Sequence, residues 1–175
     1  MILHIPSHLY AKLHSHLFQN ELEQAAFLLG TANEQSFEAK DIYLVPPEGW
    51  AVQMDIYLEM SNVERARAMS VARHGGWAIV DCHSHPGAGS DVWFSPSDIA
   101  GITNYAQYAR WKLDRRPYVA TVWGESSVDA VCWYGDFSEC HPVESVQIAG
   151  PHKSQMRPQN SWFKEPRAYR RKEPR

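Results

Sequence analysis

The stretch Asp81-Cys82-His83-Ser84-His85-Pro86 sets two imidazoles two residues apart at the end of an apolar run. On an extended strand, residues i and i+2 point to the same side, so His83 and His85 are expected to face one space. Neutral imidazole is a good ligand for Zn²⁺, at about 2.0–2.1 Å, and a hydrolytic zinc site takes three protein ligands and keeps a fourth position for water. Asp98 is the candidate third ligand, because a strand–loop–helix turn can bring a helix start back over the strand end. Ser95-Pro96-Ser97-Asp98 also matches the Ser-x-x-acid capping pattern with proline at the first helical position. Ser95 is therefore read as a cap, which does not exclude ligation by Asp98. Such a site also needs a general base to take a proton from the attacking water. Glu23, just ahead of an apolar run, could stand at the rim of the same sheet; Glu21 fits equally well on the residues alone. Asp81 and Ser84 are the nearby groups that could fix the imidazole tautomers.

The elements that must position these groups follow from periodicity and breakers. Residues 8–18 read as a first helix, with Leu9, Leu13 and Leu17 on one face and Ser7 as its cap. Residues 25–30 form a short apolar strand, and 36–45 a second strand stopped by Pro46-Pro47. A loop over 46–55 leads to a helix over 56–73, stopped by His74-Gly75-Gly76. Residues 77–82 are the clearest buried strand; Cys82 falls on the face opposite His83 and is read as a buried thiol. A glycine-bearing loop follows, then a helix from 95 to about 111. Residues 117–123 and 128–134 pair as a hairpin around 124–127, and 143–149 form a last strand. Interleaved helices and strands predict a mixed α/β sheet layered with helices. His14 and His16 are read as surface residues, Arg65, Arg67 and Arg73 as a solvated helix face, and Tyr105, Tyr108 and Trp111 as core or groove.

His83-Ser84-His85-Pro86, the loop, and Ser95-Pro96-Ser97-Asp98 together resemble the signature of the JAMM (MPN-plus, JAB) metalloproteases. In that family His-x-His and Ser-x-x-Asp are joined by an upstream Glu in a Glu-x-x-Gly-x-x-x-Gly context. Glu23-Gln24-Ala25-Ala26-Phe27-Leu28-Leu29-Gly30 is similar, with Ala26 in place of the first glycine. That alignment selects Glu23 over Glu21. The loop between His85 and Ser95 has nine residues, two more than the family pattern, which bears on the substrate groove more than on the metal ligands.

The resemblance implies an MPN/JAB (cytidine-deaminase-like) fold, a mixed β-sheet flanked by helices, over residues 1–150. It implies that His83, His85 and Asp98 hold Zn²⁺. Glu23 would activate the water and later protonate the leaving amine, and Ser95 would stabilise the oxyanion. It further implies an isopeptidase or peptidase that removes or processes a ubiquitin-like protein at its C-terminal tail, most like the stand-alone bacterial enzymes of anti-phage conjugation operons. E1-like and E2-like proteins of the same operon would then be further partners. The tail would lie extended, by strand addition, with Trp93 and Phe94 of the enlarged loop against it. Two alternatives share the motif: a peptidase that processes a sulfur carrier protein or releases cysteine, and a non-catalytic MPN scaffold without metal.

Asp-x-His-x-His also opens the site of barrel-fold phosphoesterases. A (β/α) barrel needs about 200 residues or more, and this chain of 175 residues places its motif near the middle. With 44% hydrophobic and 21% charged residues the chain is not disordered as a whole. Its apolar runs are too short to span a bilayer, its start does not read as a secretory signal, and three cysteines make no disulfide framework. A cytoplasmic setting is expected, with neither membrane nor nucleic acid as partner. Charge is uneven: residues 151–175 carry eight Lys and Arg against two Glu, a net +6, and the first 150 residues nine against eighteen, a net −9. The basic segment 151–175 is read as a solvated tail, but Trp162, Phe163 and Tyr169 interrupt it, so part of it is expected to pack.

Overall fold

The computed structural model describes residues 1–135, 139–150 and 154–164. The chain runs β1 (Ile2–Pro6), α1 (Ser7–Leu17), β2 (Ala25–Ala32), β3 (Ser36–Leu44), a 3-10 turn (Pro47–Gly49), β4 (Trp50–Gln53), β5 (Leu58–Met60) and α2 (Asn62–His74). It continues with β6 (Ala78–Ser84), α3 (Pro96–Lys112), β7 (Tyr118–Gly124), β8 (Ser127–Trp133), β9 (Cys140–Pro142), β10 (Ser145–Ala149), β11 (Ser154–Met156) and a final 3-10 turn (Ser161–Phe163). Nine strands make one mixed sheet in the order β11-β10-β1-β3-β2-β6-β7-β8-β9, and β4 and β5 form a separate hairpin. The class is mixed α/β, as the interleaving of elements predicts.

Alternation along the central strands divides the core into two layers. On β2, Ala26 and Leu28 join α1 residues Leu9, Leu13 and Leu17 on one face. Ala25, Phe27 and Leu29 join Met69 and Ala72 of α2 and Ala106 and Ala109 of α3 on the other. The same alternation on β6 sends Val80 and Cys82 toward α1 and Ile79 toward α2 and α3. Asp81 and His83 continue the Ile79 face. Cys82 is fully buried in the α1 layer, and burial pushes its thiol pKa up to about 12, so it is the inert core thiol the sequence suggests.

Two pairings place the site. β6 and β7 are parallel, so the chain must cross back between them, and α3 makes that crossing. The start of α3 therefore returns over the carboxyl end of β6. β2 is antiparallel to β6 with Ala25 opposite His83, so the residues just before β2 lie beside those just after β6.

Several boundaries differ from the sequence reading. Pro6 rather than Ser7 is the N-cap residue of α1, and no side chain caps that helix. The preceding strand β1 lies between β3 and β10. The helix expected from residue 56 starts at Asn62: Leu58 and Met60 point inward on a strand, and Ser61 caps α2 by accepting the Glu64 N–H at 3.2 Å. The expected loop 46–55 contains β4. His14 and His16 are partly exposed, and their Nε2 atoms meet the carbonyls of Glu125 at 3.1 Å and Ala25 at 3.0 Å.

Residues 154–164 lie against the body. β11 pairs with β10, and Trp162 packs edge-to-face on both Phe94 and Trp133, each at 5.3 Å between ring centroids. Phe163 is exposed, and Tyr169 lies outside the described residues. No helix among the described residues is long and apolar enough to cross a membrane.

Candidate metal centre

His83 is the penultimate residue of β6, and His85 follows one residue past the strand. The His85 N–H donates to the Trp123 carbonyl at 2.8 Å, which prolongs the β6–β7 ladder and keeps His85 on the side of His83. Their ring centroids are 5.1 Å apart. Asp98 faces both from the first turn of α3: Oδ1 is 3.5 Å from His83 Nε2, and Oδ2 is 3.3 Å from His85 Nε2. The ligand atoms of His83, His85 and Asp98 all lie within 4.8 Å of one another.

Asp98 is set by a capping box. The Ser95 N–H donates to Asp98 Oδ2 at 2.7 Å, and the Asp98 N–H donates to Ser95 Oγ at 3.2 Å. Capping and facing the histidines are thus one conformation. Ser95 Oγ also meets Ser97 Oγ at 2.8 Å.

Glu23 arrives from the β2 side. Gln24 and Ser84 lock together: the Gln24 N–H donates to Ser84 Oγ and the Ser84 N–H to the Gln24 carbonyl, both at 3.0 Å. The next residues out are Glu23 and His85, and Glu23 Oε1 is 3.6 Å from His85 Nε2. The hairpin β4–β5 holds the Glu23 backbone, since its N–H donates to the Met54 carbonyl at 3.0 Å and its carbonyl accepts from Gln53 Nε2 at 2.9 Å. Glu21 is exposed and absent from the cleft lining, which separates the two carboxylates that the residues alone leave open.

The electrostatics follow from crowding charge into a nearly dry space. Burial pushes the Glu23 carboxyl above the usual carboxylate range, against the pull of His83 and His85. Burial alone would lower the His83 pKa, but Asp98, Glu23 and Asp81 outweigh it and hold it at about 9. Burial would raise Asp98, and the two histidines outweigh it, holding that carboxyl well below its ordinary value.

The donor set fits a divalent ion. His83 Nε2 is buried and has no hydrogen-bond partner among the described residues. Buried polar nitrogens are rarely left unpaired. One oxygen of Asp98 stands 3.5 Å from His83 Nε2 and the other 3.3 Å from His85 Nε2, and the three ligand atoms lie within the 4.8 Å that a single ion can bridge. Two imidazoles and a carboxylate are a donor set that zinc shares with other divalent first-row metals.

An open cleft of about 310 Å³ leads to this cluster, lined by Glu23, His83 and Asp98 at one end and by residues of the β4–β5 hairpin and α3 along its walls. Arg65 is not on a solvated face: it borders the cleft with its guanidinium 4.9 Å from the centre of the Tyr105 ring. Arg67 reaches back to Glu64 at 2.8 Å. Tyr105 lines the cleft, while Tyr108 and Trp111 are exposed. Asp81 accepts from the Tyr118 hydroxyl at 2.9 Å, and Ser84 is engaged with Gln24, so both are turned to partners other than an imidazole. Phe94 is buried under the loop, 6.2 Å from the His83 ring, and belongs to the core rather than to a substrate surface.

Two carboxylates that the sequence reading passed over brace the loop 86–94. Glu125, between β7 and β8, accepts from Gly87 N–H and Gly89 N–H. Asp129, fully buried on β8, accepts from the Asn160 and Ser161 N–H groups at 2.7 and 2.8 Å, and Ser161 Oγ accepts from Phe94 N–H at 3.0 Å. A lone Asp within Val128-Asp129-Ala130-Val131 is a signal that sequence carries; Glu125 in a turn offers none.

No family model and no curated protein matches this chain. Among solved structures it is similar to the solution structure of protein DSY2949 from Desulfitobacterium hafniense, at 15% identity with a TM-score of 0.54, over 87% of this chain and 97% of that one. That likeness is one of fold.

Proposed function

We propose that this protein is a zinc metallopeptidase of the JAMM (MPN-plus, JAB) type that cuts a peptide or isopeptide bond at the C-terminal tail of a ubiquitin-like protein. One observation carries the reading. Three separate segments deliver Glu23, His83, His85 and Asp98 to one nearly buried point, where His83 Nε2 has no hydrogen-bond partner among the described residues. A structural ion pair needs neither the second imidazole nor the second carboxylate.

His83, His85 and Asp98 would hold the ion. Zinc, when bound, polarises the scissile carbonyl and lowers the pKa of water toward about 7. Glu23, beside His85 and with its proton affinity raised by burial, accepts the proton of the attacking water and delivers it to the leaving nitrogen. The Ser95 hydroxyl accepts a bond from Asp98 N–H, and with Ser97 as donor in the Ser95–Ser97 contact it would have its own proton to offer to the developing oxyanion. The cleft walls, with Trp50, Leu58 and Met60 on one side and Ile102 and Tyr105 on the other, exclude water from an extended chain. A tail ending in small residues suits such a passage.

The test is direct. The purified protein should carry one zinc per chain and cleave ubiquitin-like proteins extended at their tail by a peptide or by an isopeptide-linked lysine. Protein that stays metal-free in the presence of zinc, or that holds zinc yet cleaves none of these substrates, would remove the proposal.

A further inference from the structure

His85 and Asp98 are joined by a loop that must leave β6 and return to α3 without moving either residue. Gly87 and Gly89 adopt left-handed φ values of 80° and 62°, which favour glycine and turn their N–H groups outward together. The two oxygens of Glu125 receive them, Gly87 N–H on Oε1 at 2.6 Å and Gly89 N–H on Oε2 at 2.7 Å. These are short, charge-assisted bonds to a single side chain. The same turn takes up the Gly89 carbonyl through the Ser126 N–H at 3.2 Å and the Ser127 hydroxyl at 2.8 Å. Loop and turn also touch at the backbone: a Cβ on Gly124 would lie 2.7 Å from the Gly89 carbonyl oxygen.

Upstream, both main-chain groups of His85 are engaged. Its N–H donates to Trp123, and its carbonyl accepts from Ala88 N–H at 3.2 Å, inside the segment Glu125 grips. The hairpin β7–β8 does not need this carboxylate to close, since Gly124 and Ser127 already pair across the turn. The carboxylate's bonds serve the loop.

We propose that Glu125 is a positioning residue of the metal centre, whose carboxylate fixes the loop after His85 so that His85 and Asp98 meet one ion. This rests on the reading of His83, His85 and Asp98 as zinc ligands.

The test compares wild type with Glu125→Ala, Glu125→Gln and, as a control on the same turn, His14→Ala, which removes a contact to the Glu125 carbonyl and leaves the carboxylate in place. Zinc affinity is read by competition with a chromophoric chelator, fold by the melting temperature of the metal-free protein, and the two bonds by the amide resonances of Gly87 and Gly89. Both Glu125 variants should bind zinc about ten- to a hundredfold more weakly, the range seen when groups supporting a ligand are removed. The two glycine amides should shift in both, while His14→Ala binds as wild type does. Glu125→Gln keeps the side-chain size and decides the matter if Glu125→Ala fails to fold. Wild-type zinc affinity in a folded Glu125 variant overturns the inference alone, as does an equal weakening in His14→Ala. A wild-type protein that binds no zinc overturns the ligand reading first and this inference with it.

Discussion

Glu23 Oε1 and His85 Nε2 stand 3.6 Å apart although they are sixty-two positions apart in sequence, because the antiparallel register of β2 on β6 sets position 23 opposite position 85. On the proposed reading Glu23 is the base beside a ligand: its backbone is held by Met54 and Gln53, while its carboxylate, unlike that of Asp98, takes no part in the cap of α3. That relationship separates binding from turnover and makes the two measurable one at a time.

Replacing Glu23 by Gln should leave zinc content at one per chain and lower turnover by about a hundred- to ten-thousandfold, the usual contribution of a positioned general base. Metal analysis and steady-state kinetics on the same preparation check it. Activity near that of wild type would take the base assignment away.

Asp98 caps α3 and, on the proposed reading, also binds the metal, and one substitution can part the two. Asp98→Asn keeps an oxygen for the Ser95 N–H, so the cap of α3 should survive with a loss of no more than about 1 kcal/mol. The neutral amide is a poor metal ligand, so zinc affinity should collapse. His85→Ala should lose stoichiometric zinc while keeping the cap. Thermal melts of the metal-free proteins beside chelator competition separate the two effects; an Asn variant that binds zinc like wild type would leave Asp98 as a cap only.

What could be read from the residues was what is local. The shared face of His83 and His85 opposite Cys82, and the Ser95–Asp98 spacing at a helix start, are fixed within a few positions, and both stand in the structure. Glu23 was separable from Glu21 only through the family resemblance, because the choice depends on the β2–β6 register. β5 was hidden because Leu58 and Met60 fit a helix as well as a short strand when α2 follows at once. The grip of Glu125 on Gly87 and of Asp129 on Ser161 joins residues more than thirty positions apart, and no periodicity encodes it.

Removing the metal should not unfold the protein. Two apolar layers pack on the sheet independently of the site, unlike a small zinc module whose folding is its metal binding. A chelator should lower the melting temperature while a single cooperative transition remains. Zinc at a thousand times its dissociation constant adds about 4 kcal/mol by mass action. Loss of the near-ultraviolet circular dichroism on chelation at room temperature would show instead that the metal holds the fold.

The C-terminal contacts can be tested by truncation. A chain stopped after Lys164 keeps every contact described for that segment and is the reference for a shorter one. A chain stopped after Gly150 loses β11, the two N–H groups on buried Asp129, and Trp162 from between Phe94 and Trp133. Hydrogen bonds to a buried charge contribute about 1.5–3 kcal/mol each, so this truncation should cost several kcal/mol even if water partly replaces them. Because Ser161 accepts the Phe94 N–H one residue before the α3 cap, zinc affinity should fall along with stability. Asp129→Asn in the full chain tests the same clip without removing residues. Denaturant unfolding and chelator competition read both quantities; a chain ending at Gly150 with unchanged stability and zinc binding would show that the clip contributes nothing to the site.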